Sequence, residues 1–312
     1  MGLRDAMDDE IDLRELGAGL PAGATVRLRG RGTTFVRYAD GPDGAPTVLL
    51  SHGLLATGAL NWFRCFEPLR EHFHVVAPDL RGHGRGIRST RRFRLADCAD
   101  DLAALIDQQR LGPVIAVGYS MGGPVSQLLW RRHPDSVNGM VLIATGAEFV
   151  RGNRERYAAS VFGTVAAGTT RVGALAAFLP GLVTRRLFGM ELDPGQPGGL
   201  ARWARKEMSY HSPRALFEAI HAIVNYSARR WIDQIDVPSS VVVTEHDSAV
   251  SPEAQIRMAL AIRGAHISRI PDGHAACVNA DFGRKVTDAC LDVQSRIDLG
   301  YDPLPPATVT GR

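Results

Sequence analysis

Five short, almost unbroken apolar runs punctuate the chain: TVLL (47–50), HVVA (74–77), PVIAV (113–117), MVLIA (140–144) and SVVVT (240–244). A strand with one wet face alternates apolar and polar residues. Continuous runs instead predict strands covered on both faces, as in a parallel sheet flanked by helices. Ahead of them, residues 25–39 (TVRLRGRGTTFVRYA) hold two β-like stretches around Gly30–Gly32, a hairpin pattern. Between the runs the period lengthens to that of a helix. Leu95, Cys98, Leu102, Leu105 and Ile106 fall on one face, as do Phe282, Val286, Ala289, Cys290, Val293 and Ile297 near the end. Alternating strands and helices define an α/β sheet opened by a hairpin.

The alternation stops between Glu148 and Ile235, where Ala, Gly and Leu dominate and Pro180, Pro194 and Pro197 interrupt helix-like pieces. This stretch predicts a helical lid, 148–235, inserted over the carboxyl edge of the sheet. It divides the core into residues 1–147 and 236–298, and the polar, proline-rich 299–312 reads as a loose tail. The lid's apolar residues, Phe162, Phe178, Phe188 and Phe217 among them, favour an apolar substrate.

Composition narrows the function by exclusion. The 312 residues are 45% hydrophobic and 22% charged, ordinary for a globular chain. A net charge of +3, with no basic run interleaved with aromatics, argues against nucleic acid as a partner. Solvated arginines are the ordinary reading of the basic excess in the lid, with attraction to an anionic substrate or peripheral contact at an anionic lipid surface as the alternative. No apolar run is long enough to span a bilayer, and MGLRDAMDDEIDLREL lacks a signal-peptide core, so the expected location is the cytoplasm. The cysteines (Cys65, Cys98, Cys277, Cys290) are scattered without metal-ligand spacing; neither a metal nor a cofactor is expected. Oligomeric state leaves no mark in the sequence.

The chemistry concentrates at Gly118-Tyr119-Ser120-Met121-Gly122, a G-x-S-x-G that follows a strand and opens a helix. Small neighbours let strand and helix approach while the turn exposes the serine oxygen beside a helix amino terminus. A serine hydroxyl needs a base. His274, in IPDGHAACV, stands in the loop before the last helix and is preferred to His211 or His221 of the lid. Asp247, at the end of VVVTEHD, is the acid that would orient it; Glu148, after the preceding strand, is the alternative. The order Ser120, Asp247, His274 is the one this motif requires. Oxyanion donors are expected at the N–H groups of Met121 and of Leu54, in LLSHGLLATG, with His52 shaping that loop.

Together His52-Gly53, PDLRGHGRG (78–86), GYSMGG (118–123), Asp247 and Gly273-His274 resemble the α/β-hydrolase fold superfamily, in particular its capped serine esterase, lipase and lactonase-like members. The resemblance spans roughly residues 25–298. It implies an eight-stranded, mostly parallel sheet with 148–235 as the cap, Ser120 as nucleophile, His274 as base and Asp247 as acid. The acid strand departs from the common G-x-x-D ending by reading Thr244-Glu245-His246-Asp247. Asp79, Arg81 and His83 belong to a loop that is structural in such proteins. The expected activity is hydrolysis of a small-molecule carboxylic ester. C–C bond hydrolysis or cofactor-free peroxidation with the same triad, and a non-catalytic receptor on the same fold, remain as alternatives.

Overall fold

The computed structural model describes residues 19–149 and 199–302. Residues 150–198 of the expected lid and 303–312 of the expected tail lie outside them. All five apolar runs are strands: β3 (Thr47–Ser51), β4 (His74–Pro78), β5 (Val114–Tyr119), β6 (Val137–Ile143) and β7 (Ser239–Thr244). The hairpin supplies β1 (Gly23–Leu28) and β2 (Gly32–Ala39), and β8 (His266–Ile270) closes the far edge. The eight strands lie in the order β1-β2-β4-β3-β5-β6-β7-β8. Only β1–β2 and β2–β4 pair antiparallel.

Two cores explain the continuous runs. Because side chains alternate across a pleated sheet, every second residue of a run serves the opposite face. Val114, Ala116, Met140 and Leu142 join one apolar cluster, while Ile115, Val117, Val141 and Ile143 join the other. The first is covered by α3 (Leu95–Gln109), α4 (Gly122–Arg132) and α7 (Pro252–Ala261). The second is covered by α1 (Gly58–Trp62), α2 (Phe66–Arg70) and α8 (Phe282–Asp298). Both helical faces read from the sequence are buried, save for Ile297, which is partly so. Among the described residues, the segment joining β6 to β7 contains α5 (Gly199–Ser209) and α6 (Pro213–Val224) and no strand.

The strand order also fixes where a site can form. After β3 the chain crosses to β4 on one side; after β5 it crosses to β6 on the other. The loops leaving the carboxyl ends of β3 and β5 therefore diverge and open a crevice between two adjacent strands. Ser51 is in register with Gly118, so the two loops start level.

Candidate active site

Ser120 occupies the elbow between β5 and α4 with a φ of 51°, left-handed backbone that a residue with a Cβ rarely adopts. Two hydrogen bonds hold it there. Its N–H donates to the Ile143 carbonyl at 2.9 Å, and its carbonyl accepts from Thr145 Oγ1 at 2.8 Å. Glycines are required around it: a Cβ on Gly118 would overlap the Gly122 carbonyl, and one on Gly122 would overlap the Ser51 carbonyl.

The loop after β8 brings His274 to the serine, with Nε2 2.9 Å from Ser120 Oγ. On the other side of the ring, Nδ1 lies 2.8 Å from Asp247 Oδ2. A carboxylate only accepts, so Nδ1 carries the proton and Nε2 is free to receive one from the serine. The ring is placed by its own backbone too, as Tyr119 Oη donates to the His274 carbonyl at 2.6 Å.

Asp247 is saturated with donors. Oδ1 accepts the N–H groups of Ala249 and Val250 at 2.8 and 2.9 Å, and Oδ2 accepts Thr244 Oγ1 at 2.7 Å. Burial alone would raise its pKa. The bonds from His274, Val250 and Thr244 outweigh that cost and hold it below the ordinary carboxylate range. Thr244, the departure from G-x-x-D, is thus a donor to the acid itself. Gln255 locks that threonine by donating to its Oγ1 at 2.8 Å and accepting its N–H at 3.1 Å. Glu148 pairs instead with Arg229 at 3.6 Å and bridges to Ser227.

The N–H groups of Leu54 and Met121 have no acceptor among the described residues. His52 is buried beneath the first of these loops, with Nε2 accepting the Leu80 N–H at 2.9 Å. The LRGHG loop has partners of its own. Asp79 accepts from the N–H groups of Gly58 and Arg85, Arg81 forks onto Asp101 at 2.7 and 2.8 Å, and His83 bonds the Arg81 carbonyl. His211 follows α5 and accepts the Gly84 N–H at 2.9 Å, away from the serine.

Ser120 and His274 line a cavity with Leu54, Leu55, Leu60, Val278 and, from α5, Leu200, Ala204 and Met208. The α5 residues recur every fourth position and so share one helix face. Among the described lining residues none is charged. The polar residues that sequence reading missed here are Asn61, Thr244 and Gln255. Each acts on a partner placed by the fold, and only Thr244 left a trace in the sequence.

A family model described as alpha/beta hydrolase fold matches residues 46–281, and the chain belongs to that family. It is 32% identical over 216 residues to a pimeloyl-[acyl-carrier protein] methyl ester esterase of Neisseria meningitidis, covering 68% of this chain and 78% of that one. It is 40% identical to the lipase LipV of Mycobacterium tuberculosis over 103 residues, 33% of this chain and 38% of the lipase. Among solved structures, the enol-lactonase of Burkholderia xenovorans superposes with a TM-score of 0.71 at 25% identity, covering 87% of this chain and all (100%) of that one. A thermophilic esterase from Thermogutta terrifontis gives 0.72 at 23% identity, covering 88% and 99%, a likeness of fold. Among the described residues, no helix is long and apolar enough to cross a membrane.

Proposed function

We propose that this protein hydrolyses carboxylic esters of uncharged, apolar small molecules through an acyl-enzyme on Ser120. The observation that carries the reading is the Ser120–His274–Asp247 hydrogen-bond chain at the wall of an apolar cavity. His274 Nε2 takes the serine proton as Oγ attacks the ester carbonyl. Asp247 holds the ring in the required tautomer and stabilises the imidazolium. The N–H groups of Leu54 and Met121 receive the charge that develops on the carbonyl oxygen. His274 then protonates the departing alcohol, and a water activated by the same nitrogen releases the acid. No cofactor enters this cycle.

Residues 148–235 act in this reading as the lid, with α5 presenting Leu200, Ala204 and Met208 to the acyl or alcohol group. A charged group buried against the described walls would lose its hydration without a partner. The described walls therefore favour a neutral substrate. The relatives named as methyl ester esterases act, by that name, on the bond type proposed here.

A fluorophosphonate probe is expected to label the wild-type protein on Ser120, and Ser120→Ala to lose both labelling and turnover of p-nitrophenyl esters. Turnover that survives Ser120→Ala refutes the reading. Within an ester series, p-nitrophenyl hexanoate is expected to exceed a hemisuccinate ester by at least about tenfold in kcat/KM, the scale of one uncompensated buried charge.

A further inference from the structure

Gly53 is held from both sides. Its N–H donates to Asn61 Oδ1 at 2.8 Å, and its carbonyl accepts from His52 Nδ1 at 2.8 Å. Both anchors have fixed polarity. The Leu80 N–H points at His52 Nε2, and an amide can only donate, so Nε2 is bare and Nδ1 carries the hydrogen. Burial pulls the His52 imidazole down to about 4, against a smaller opposing effect of the Gly53 carbonyl, so this neutral tautomer persists at neutral pH. Asn61 faces a donor and must present its oxygen. Both side chains are almost wholly buried, at 0% and 1% exposure.

The consequence falls on the next peptide. The Gly53–Leu54 bond is trans, as are all described peptides, so its C=O and N–H point in opposite directions. Aiming the carbonyl at His52 turns the Leu54 N–H away from it, and Leu54 borders the cavity with Ser120. Glycine's backbone has the widest conformational choice of any residue, and the local turn bond to this carbonyl, from the Ala56 N–H at 3.3 Å, is longer than the 2.8 Å bond from His52. The loop is also close to the nucleophile: a Cβ at Gly53 would stand 3.4 Å from Ser120 Cβ and 3.5 Å from Asn61 Oδ1.

We propose that His52 and Asn61 are positioning residues of the oxyanion site, which pin the two polar groups of Gly53 and thereby set the direction of the Leu54 N–H. The proposal rests on the acyl-enzyme reading of Ser120. Neither side chain hydrogen-bonds Ser120 or His274, and neither moves a proton in the cycle.

The test compares Asn61→Ala, His52→Asn and the double variant with the wild type. Rates are normalised to the fraction of Ser120 titrated by a fluorophosphonate, so that misfolded protein does not count. Ester kcat per titrated site is expected to fall about 10- to 100-fold, below the loss for deleting a donor outright, with KM within about twofold. Affinity for a trifluoromethyl ketone, which adds to the serine and places an oxyanion, weakens by the same factor as kcat/KM. The double variant loses little more than the worse single one, because both act on one residue. A lowered melting temperature with unchanged kcat per titrated site and unchanged ketone affinity overturns the proposal and leaves a structural role only. Should His52→Asn fail to fold, Asn61→Ala alone decides by the same readouts. Failure of the wild type to be labelled at all is a different result, and it overturns the acyl-enzyme reading instead.

Discussion

At Ser120 the left-handed φ of 51° costs on the order of 1–3 kcal/mol for a residue with a Cβ, and the bonds to Ile143 and Thr145 hold it against that cost. Ser120→Gly is therefore expected to be at least as resistant to urea as Ser120→Ala while equally inactive; a clearly weaker Gly variant would show that the elbow is unstrained. Geometry separates the two candidate acids as well. Asp247 touches His274 Nδ1, whereas Glu148 is paired with Arg229. Asp247→Asn is expected to lower kcat by about 10³–10⁴, through loss of the productive tautomer, with Glu148→Gln within about threefold of wild type. The opposite ranking in steady-state assays would move the role to Glu148. Ser120, His274 and Asp247 were legible because each follows a strand at a spacing with a mechanical cause. Asn61 and Gln255 were not. One answers a glycine eight positions away and the other a threonine eleven away, contacts that exist only once loop, strand and helix have packed.

Elements were legible where both faces are buried, since β3 to β7 each read as an apolar run. The edge strand β8 reads HISRI, strand-like in its residues, but it is exposed at its first four positions, so burial left no continuous apolar run there. The strand count and mostly parallel pairing came from resemblance to a family, and the order of strands was not legible, because apolar runs of similar length could pair in many ways. The β5–α4 elbow is the element most intolerant of change. A methyl group on Gly122 would overlap a backbone carbonyl of β3, and neither side can yield without shifting the sheet. Gly122→Ala is expected to cost more than about 3 kcal/mol, the scale of overpacking in a rigid core, or to abolish soluble expression. Gly112→Ala, with a φ of 71° but open space around it, is expected to cost only about 1–2 kcal/mol. Denaturant midpoints of the two variants separate overlap from backbone strain.

Across the whole molecule, the segment of α5 and α6 and the sheet core meet through polar groups and not through apolar packing alone. Thr57 donates to Glu207 at 2.6 Å, the Ser212 N–H bonds the Gly82 carbonyl, and Arg88 reaches the Gly84 and Tyr210 carbonyls. At the centre the ring of His83 meets His52 at a tilt and His211 edge to face, with centroids 5.5 and 5.3 Å apart. Burial lowers all three; His52 and His211 fall to about 4 and His83 falls well below its ordinary value, with repulsion from the neighbouring histidines, and then Arg88, adding to the effect on His83 and His211. Asp79 and the Leu55 carbonyl partly oppose the shift at His211, the Gly53 carbonyl at His52 and the Arg81 carbonyl at His83. All three are neutral in the folded state, whereas in the unfolded chain each binds a proton below about 6.5. Stability is therefore complete above about pH 6.5 and declines as the pH falls towards about 4, with an upper limit near 2 kcal/mol lost by pH 5 for each of His52 and His211. Carboxylates held low, such as Asp247 and Asp100, lose their contribution mainly at lower pH, so the interval from 6.5 to 5 reports the histidines. Urea unfolding at pH 7.5 and at pH 5 is expected to show a clear drop in midpoint. His211→Asn, which keeps an oxygen for the Gly84 N–H but cannot titrate, is expected to lower the midpoint at pH 7.5 yet shrink the drop between the two pH values. A midpoint equal at both pH values, or a drop that His211→Asn leaves intact, would show that the three rings do not act as a neutral joint between the α5–α6 segment and the core.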